Sequence, residues 1–184
     1  WARSGKMFAS QYFAEAGAAP DIMTTAKSIG AGLPLSAVTA RAEIMDAVPG
    51  GTIGGTYGAN AVSAASALKV VEVMERDDYP AKAMHIAEVG MKRFNEWKDK
   101  YEVVGDVRGL GAMMGVEFVK SKATKEPNAE LVGKIVQTAM NNGLLLEAAG
   151  TYNNVIRFLC PLCVTDEQME AGLKIFEDAI VANM

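Results

Sequence analysis

Lys27 is the first residue whose type and setting suggest chemistry. It follows the apolar, β-branched run of residues 22–26 (Ile-Met-Thr-Thr-Ala) and precedes a glycine cluster at residues 30–34. The run predicts a buried strand, and ligands of open α/β folds bind at the carboxyl ends of their strands. A lysine partly withdrawn from water there can form a Schiff base. From spacing alone, a solvated lysine at a strand end is the commoner outcome.

Thr56 is the second candidate, because Gly54-Gly55-Thr56 comes before a predicted helix from about Asn60 to Arg76. A glycine-rich turn at a helix N-terminus offers free amide groups and the positive end of the helix dipole, which together suit a phosphate. The threonine hydroxyl adds one donor. A plain loop with a helix cap would have the same sequence. No Gly-Lys-Ser/Thr follows, so the turn is not a Walker-type phosphate loop.

Arg157 is the third candidate and lies in an apolar strand between Ile156 and Phe158. An unpaired buried charge is costly, so the guanidinium group needs an anionic partner. That partner is either a carboxylate of this chain or a ligand carboxylate held by a bidentate fork. The sequence leaves both open.

The Cys160-Pro161-Leu162-Cys163 segment resembles a CxxC motif, but the chain has only two cysteines and one histidine, His85. A Cys/His zinc site therefore cannot be completed, and we predict no metal site. The predicted helix starts after Cys163, whereas a thioredoxin-type site needs its first cysteine at the helix start. We interpret both cysteines as small buried hydrophobic residues and His85 as a surface residue without a catalytic partner.

Composition narrows the class of protein. Of the 184 residues 50% are hydrophobic, which supports a folded core rather than disorder. The net charge of −4 and the lack of a basic stripe argue against a nucleic-acid partner. No apolar run reaches the roughly 18 residues of a membrane-spanning helix. Two cysteines favour a reducing cytoplasm. The start at Trp1, with neither an initiator methionine nor a signal-peptide pattern, suggests a position inside a longer parent chain.

The elements that would position these residues alternate between strands and helices, which predicts an α/β or α+β fold. Strands are expected at residues 22–27 and 35–39, and the helix at 60–76 is apolar on all sides and therefore predicted to be buried. We place a domain boundary near Pro80. Residues 1–78 would be the tail of a larger α/β domain, and residues 79–184 a compact strand–helix domain.

Residues 79–184 show a clearer pattern of strands and helices. Strands are expected near residues 103–108, 112–119, 144–147 and 155–159, and a helix near 128–142. Thr165 and Gln168 predict a capping box at the start of the last helix. An earlier amphipathic helix, starting at Pro80, carries an apolar face of Met84, Ala87, Met91, Phe94, Trp97 and Tyr101.

Taken together, these segments resemble class III, pyridoxal-phosphate-dependent aminotransferases, with the bacterial 4-aminobutyrate aminotransferases as the nearest subgroup. The stretch from Pro20 to Leu35 (PDIMTTAKSIGAGLPL) is similar to the family's lysine segment, and residues 3–9 (RSGKMFA) to the stretch after its Asp-Glu-Val-Gln motif. Residues 54–60 resemble its phosphate-binding threonine loop, and residues 156–158 its C-terminal arginine strand. The resemblance covers about residues 1–182. Ala61 stands where the family often has proline.

The resemblance implies fold type I, with residues 1–78 as the C-terminal remainder of the large cofactor-binding domain and 79–184 as the small domain. It implies that Lys27 holds pyridoxal 5′-phosphate covalently and moves a proton, and that Thr56 binds the cofactor phosphate across a dimer interface. Arg157 would bind a carboxylate of 2-oxoglutarate or glutamate. The parent enzyme would then be a cytoplasmic homodimer or higher homo-oligomer that converts 4-aminobutyrate and 2-oxoglutarate to succinate semialdehyde and glutamate.

Several alternatives stay open. The same scaffold serves ornithine and acetylornithine transamination, racemases and aminomutases. The family's aspartate for the pyridinium nitrogen, its ring-stacking aromatic residue and its glycine phosphate loop would lie before Trp1. We therefore expect little or no transaminase activity from this chain alone, and a folding or interaction module is a further possibility. The apolar helix after Thr56 leads us to expect self-association.

Overall fold

A computed structural model describes residues 1–52 and 54–184, and it divides into two compact units. Unit 1 comprises Trp1–Ala2 and Lys6–Tyr79, and unit 2 comprises Arg3–Gly5 and Pro80–Met184. Within the described residues, no helix combines the length and apolarity needed to cross a membrane.

The described residues of unit 1 form one hairpin of strands, a 3₁₀ turn and three helices. Strands β1 (Ile22–Ala26) and β2 (Ser36–Ala40) pair antiparallel, with Ile22 opposite Ala40 and Ala26 opposite Ser36. A 3₁₀ turn, Lys27–Gly30, follows β1 directly. The other elements are α1 (Ser10–Glu15), α2 (Ala42–Met45) and α3 (Ala61–Arg76). The positions of both predicted strands and of the α3 helix are confirmed within one or two residues.

The predicted burial of these elements was wrong. Among the described residues of unit 1, only Ala2, Gly30 and Ser63 are buried. Val62 and Leu68 on α3 are 67% and 75% exposed. Two strands and one longer helix supply no second layer of apolar side chains, so the apolar side chains of α3 have little in this unit to pack against apart from the turn after β1.

Unit 2 has one four-stranded antiparallel sheet, in the order β3-β4-β6-β5. The strands are β3 (Val104–Leu110), β4 (Met113–Phe118), β5 (Glu147–Ala149) and β6 (Val155–Phe158). The helices are α4 (Tyr79–Lys100, of which Tyr79 belongs to unit 1), α5 (Ala129–Asn141) and α6 (Asp166–Val181). Alternate residues of β4 and β6 are buried, as the two-residue period of a strand requires when one face of a sheet is covered.

An aromatic cluster forms the core of unit 2. Phe176 on α6 is fully buried, and its ring centroid lies 5.1 Å from that of Trp97 and 6.1 Å from that of Phe94, both on α4. Phe118 and Phe158 of the sheet lie 6.4 and 6.5 Å from the same ring. These contacts join both helices to the sheet.

The α6 pattern is confirmed, since Thr165 and Gln168 form the capping box and Met169, Leu173, Phe176 and Ile180 are buried. The predicted α4 face is wrong at its start: Met84 is 47% exposed, and Ala83, Ile86 and Gly90 are buried instead. The reason is a close approach at Gly90, where an added Cβ would lie 2.8 Å from Met114 Cε. Strand β5 also begins only at Glu147, later than predicted.

Candidate active site

Lys27 occupies an unusual backbone position. It is the first residue of the 3₁₀ turn after β1, and its φ of 59° lies in the left-handed region that side chains other than glycine seldom adopt. Ala31 and Gly32, which leave the turn, also have positive φ, at 48° and 95°. Strained residues of this kind concentrate at functional sites and persist only where their surroundings hold them.

Helix α3 holds this turn in place. The hydroxyl of Ser66 donates a hydrogen bond of 3.1 Å to the carbonyl oxygen of Gly30, the last residue of the turn. Gly30 is one of the three buried residues in the described part of unit 1. The conformation of the turn that carries Lys27 therefore depends on its hydrogen bond to α3.

The Lys27 side chain is exposed. This is the outcome that the spacing alone favoured, and the partial withdrawal from water considered for a Schiff-base lysine is absent from this chain because unit 1 buries so little. In the described part of the chain its amine has no hydrogen-bonding or ion-pairing partner. Lys69, Lys134 and Lys174, in contrast, each pair with a carboxylate on their own helix.

Thr56 lies in an exposed turn, five residues before the first residue of α3. The turn is closed by a 2.8 Å hydrogen bond from the Gly58 amide to the Gly55 carbonyl oxygen. Asn60 caps the helix, and its Oδ1 accepts from the amides of Val62 and Ser63, each at 3.1 Å. These two amides are therefore not the free donors that we expected. The groups left for a phosphate are the Thr56 hydroxyl and the open glycine turn before it. Ile53, which precedes that turn, lies outside the described residues.

Both Lys27 and Thr56 thus depend on α3. The Thr56 turn leads into the N-terminus of this helix, and Ser66, in its second turn, holds the end of the Lys27 turn. A helix rises 1.5 Å per residue, so the first residue of α3 and Ser66 are about 7.5 Å apart along the helix axis. This is the spatial link that unit 1 provides between the two candidates.

Arg157 belongs to unit 2 and lies on β6, directly opposite Glu147 on β5. Its Nη2 donates a 2.5 Å hydrogen bond to Glu147 Oε2. Its Nε is buried and has no hydrogen-bond partner in the described part of the structure. Of the two partners that the sequence left open, an internal carboxylate is therefore present. Lys27 and Thr56 both lie on segments next to α3 in unit 1, and Arg157 pairs with Glu147 in unit 2.

Sequence reasoning missed Glu147, Ser66 and Arg3. The guanidinium of Arg3 donates to the carbonyl oxygens of Ala112, at 3.2 Å, and Cys160, at 3.0 Å, and burial lowers its pKa. Nothing in the spacing of these residues signals such long-range contacts. For Glu147, an acidic residue at the edge of an apolar segment was the one available clue.

The cysteines differ from our interpretation. Cys160 is half-buried, and that burial raises the pKa of its thiol, but Cys163 is exposed. His85 Nε2 lies 2.8 Å from Asp166 Oδ1, so it has a structural partner on α6. Across residues 1–52 and 54–184, no group of His, Cys, Asp and Glu side chains is arranged to hold a metal ion.

The chain is similar to known proteins along nearly its whole length. The model of the family "Aminotransferase class-III" matches residues 1–180. The chain is 43% identical over 176 residues to the 5-aminovalerate aminotransferase DavT of Pseudomonas aeruginosa, covering 96% of this chain and 41% of that protein. It is 41% identical over 173 residues to the 4-aminobutyrate aminotransferase GabT of Escherichia coli, covering 94% and 40%.

Solved structures give the same result for the fold. A Bacillus anthracis aminotransferase has a TM-score of 0.88 at 28% identity, covering 98% of this chain and 42% of that one. A PLP-bound amine transaminase from an uncultivated Pseudomonas species has a TM-score of 0.88 at 30% identity, covering 99% and 42%. The α/β fold is thus that of pyridoxal-phosphate-dependent aminotransferases. The chain spans about 40% of the length of these curated relatives. It belongs to the class III aminotransferase family.

Proposed function

We propose that the parent protein of this chain transfers an amino group from an ω-amino acid to a 2-oxo acid, with pyridoxal 5′-phosphate as cofactor. The proposed pair is 4-aminobutyrate and 2-oxoglutarate, which gives succinate semialdehyde and glutamate. Relatives named for 4-aminobutyrate and for 5-aminovalerate support an ω-amino donor of this size. The five-carbon donor is therefore the alternative with the strongest support.

The observation that carries the proposal is the state of Lys27. Its amine is exposed, has no ion-pairing partner in the described structure, and sits on a strained turn that α3 holds through Ser66. An amine must be accessible to condense with an aldehyde, and the Lys27 amine is reached from solvent. These features fit a lysine that binds the cofactor aldehyde covalently.

Each proposed residue has a distinct task. The cofactor, when bound, supplies the electron sink for bond breaking at the substrate carbon. Lys27 binds the cofactor covalently and, once its amine is released, accepts and returns a proton at Nζ. Across the proposed dimer interface, the Thr56 hydroxyl donates a hydrogen bond to the phosphate of the cofactor held by the partner subunit, aided by the open glycine turn that precedes Thr56.

Arg157 binds and orients a substrate carboxylate in this proposal. A guanidinium edge matches the two oxygens of a carboxylate, which fixes the position of the ligand as well as its charge. The cavity that adjoins Arg157 has a volume of about 370 Å³, which is in the range of small-molecule sites.

We also propose that unit 1 is part of the large cofactor-binding domain, that unit 2 is the small domain, and that the parent enzyme is a homo-oligomer. Exposed apolar side chains in unit 1 support association. Ile22, Val38, Val62 and Leu68 are between 47% and 75% exposed, and apolar surface of this kind usually becomes covered by protein.

The proposal is tested by incubating the chain with pyridoxal 5′-phosphate, reducing with borohydride and mapping the modified lysines by mass spectrometry. We expect Lys27 to be labelled in preference to all other lysines, and the Lys27→Ala variant to lose that label. Lys134→Ala is the matched control, because Lys134 is a helical lysine paired with Glu130. Labelling spread evenly over surface lysines would contradict the proposal and favour a non-enzymatic interaction module.

A further inference from the structure

The two cysteines of the chain lie three residues apart and differ in exposure. Both are free thiols in unit 2, in the segment that joins β6 to α6, with Pro161 and Leu162 between them. Cys160 is half-buried and lines the cavity that adjoins Arg157, whereas Cys163 is exposed. An accessible thiol with a second thiol close by is the arrangement found in cysteine pairs that undergo reversible oxidation.

A turn of the backbone lies next to this pair. The Val164 amide donates a 3.1 Å hydrogen bond to the Pro161 carbonyl oxygen, so Cys163 lies inside the turn and Cys160 directly precedes it. Besides burial, a negative charge on Cys163 raises the pKa of the Cys160 thiol, which places the two thiols within electrostatic range of each other. A disulfide requires Cα atoms no more than about 7 Å apart, a separation that a turn allows for residues three apart.

A cation is held beside Cys160. The Arg3 guanidinium donates to the carbonyl oxygens of Cys160, at 3.0 Å, and of Ala112, at 3.2 Å. Burial raises the pKa of the Cys160 thiol, and the positive charge of Arg3 partly offsets that rise. Reactive cysteines are typically found where a cation adjoins a sulfur that is partly accessible. Arg3 therefore favours the thiolate form of the less exposed cysteine.

We propose that Cys160 and Cys163 are a redox modification site, which forms a disulfide within the chain by exchange with a low-molecular-weight disulfide such as oxidised glutathione. The Cys163 thiolate first attacks one sulfur of oxidised glutathione, so that a mixed disulfide forms and one glutathione thiolate leaves. The Cys160 thiolate then attacks the Cys163 sulfur, the Cys160–Cys163 bond forms and the second glutathione leaves. The two protein thiols lose two electrons and two protons, which reduce oxidised glutathione to two glutathione thiols. The site is independent of the proposed function, because it uses neither Lys27 nor Thr56.

The order of the two steps follows from the exposure of the two thiols. Cys163 lines an open cavity of about 400 Å³ together with Lys82 and His85, so a dissolved disulfide reaches its sulfur from solvent. Cys160 is half-buried, and its carbonyl group is held by Arg3, which makes it less accessible to a reagent as large as oxidised glutathione. Cys163 is therefore the attacking residue, and Cys160 resolves the mixed disulfide.

The experiment incubates the reduced chain with oxidised glutathione, stops the exchange with acid and identifies the products by mass spectrometry. We expect a chain lighter by two hydrogen atoms, with the disulfide inside the single tryptic peptide of residues 158–174. Cys160→Ser should instead accumulate glutathione on Cys163. Cys163→Ser should react about tenfold more slowly than Cys160→Ser, because its remaining thiol is half-buried. Dithiothreitol should restore both thiols of the unmodified chain.

Variants of Arg3 test the second step separately, because the time course of the mixed disulfide gives the rates of attack and of closure. Arg3→Met removes the charge and should slow closure about threefold or more, while the first attack at exposed Cys163 keeps its rate. Arg3→Lys keeps the charge and should close like the unmodified chain. The matched control is Arg93→Met, which removes an arginine paired with Glu170 at 2.8 Å and should change neither rate.

Three results would overturn the proposal. The first is an unmodified chain that retains as much glutathione as Cys160→Ser, since no disulfide would then have closed. The second is a disulfide between two copies of the chain as the main product. The third is Cys163→Ser reacting as fast as Cys160→Ser, which would contradict the order of attack. Equal closure rates in Arg3→Met and the unmodified chain would refute the role of Arg3.

Discussion

Replacement of Phe176 by alanine tests whether the aromatic cluster holds unit 2 together. The Phe176 ring is fully buried, with Trp97 at 5.1 Å and Phe94 at 6.1 Å between ring centroids. Its other ring neighbours, Phe118 and Phe158, come from two strands of the sheet. The alanine variant would therefore leave a cavity where α4, α6 and the sheet meet.

The expected loss in the free energy of unfolding follows from the location of Phe176 in the core of unit 2. Truncation of a buried phenylalanine to alanine costs about 3–5 kcal/mol, and the cost is highest where neighbours cannot relax into the cavity. The rings around Phe176 are rigid and are themselves held by packing, so we expect a loss of about 4 kcal/mol. Domains of this size have a free energy of unfolding of only about 5–15 kcal/mol, so the effect should be large.

The assay is urea unfolding followed by tryptophan fluorescence. The chain has two tryptophans, Trp1 in unit 1 and Trp97 in unit 2, so a Trp1→Phe background makes the signal specific for unit 2. With a urea dependence of about 2 kcal/mol/M, the expected loss lowers the unfolding midpoint by about 2 M. Phe13→Ala is the control, because Phe13 is 63% exposed and lies in unit 1.

A loss of less than about 1.5 kcal/mol for Phe176→Ala would refute the reasoning, since it would fall below the range for any buried phenylalanine. An equal effect from Phe13→Ala would also refute it, because the loss would then not depend on burial in unit 2.

Two further predictions concern α6 and the segment before it. Thr165→Ala removes the hydroxyl that accepts from the Gln168 amide at 3.2 Å, and it should lower the free energy of unfolding of unit 2 by about 1 kcal/mol in the same assay; Thr151→Ala, in an exposed turn, should change it little. Iodoacetamide at pH 7.5 should modify Cys163 faster than Cys160, because Cys163 is exposed while burial raises the pKa of the Cys160 thiol and lowers its thiolate fraction. Peptide mass spectrometry gives both rates, and a faster Cys160 would contradict this order.

Helices and strands were predicted best where the pattern that specifies them lies within the element itself. The α6 capping box and the four-residue apolar period after it specify that helix without reference to the rest of the chain. The strands β1, β2, β4 and β6 were likewise predicted from short apolar runs between glycine or proline breakers.

Burial was predicted poorly where it depends on what lies opposite an element. The periodicity of α4 indicated Met84 as a core residue, but close packing of Met114 against Gly90 brings a different face of the helix to the core. The apolar composition of α3 predicted a buried helix, yet unit 1 contains no layer to cover it. An apolar composition favours burial, but an element is buried only where another surface of the protein packs against it.

The candidate site shows the same contrast between what the local sequence determines and what the fold determines. The sequence by itself determined the family, the lysine at the end of a strand, the threonine turn before a helix and the arginine in an apolar strand, because these depend on residue type and short-range order. Only the tertiary structure decided that Ser66 anchors the Lys27 turn, that Asn60 takes the first amides of α3, and that Glu147 shares Arg157. Those contacts join residues through helix capping, helix packing and strand register, which are set by the fold as a whole rather than by the local sequence.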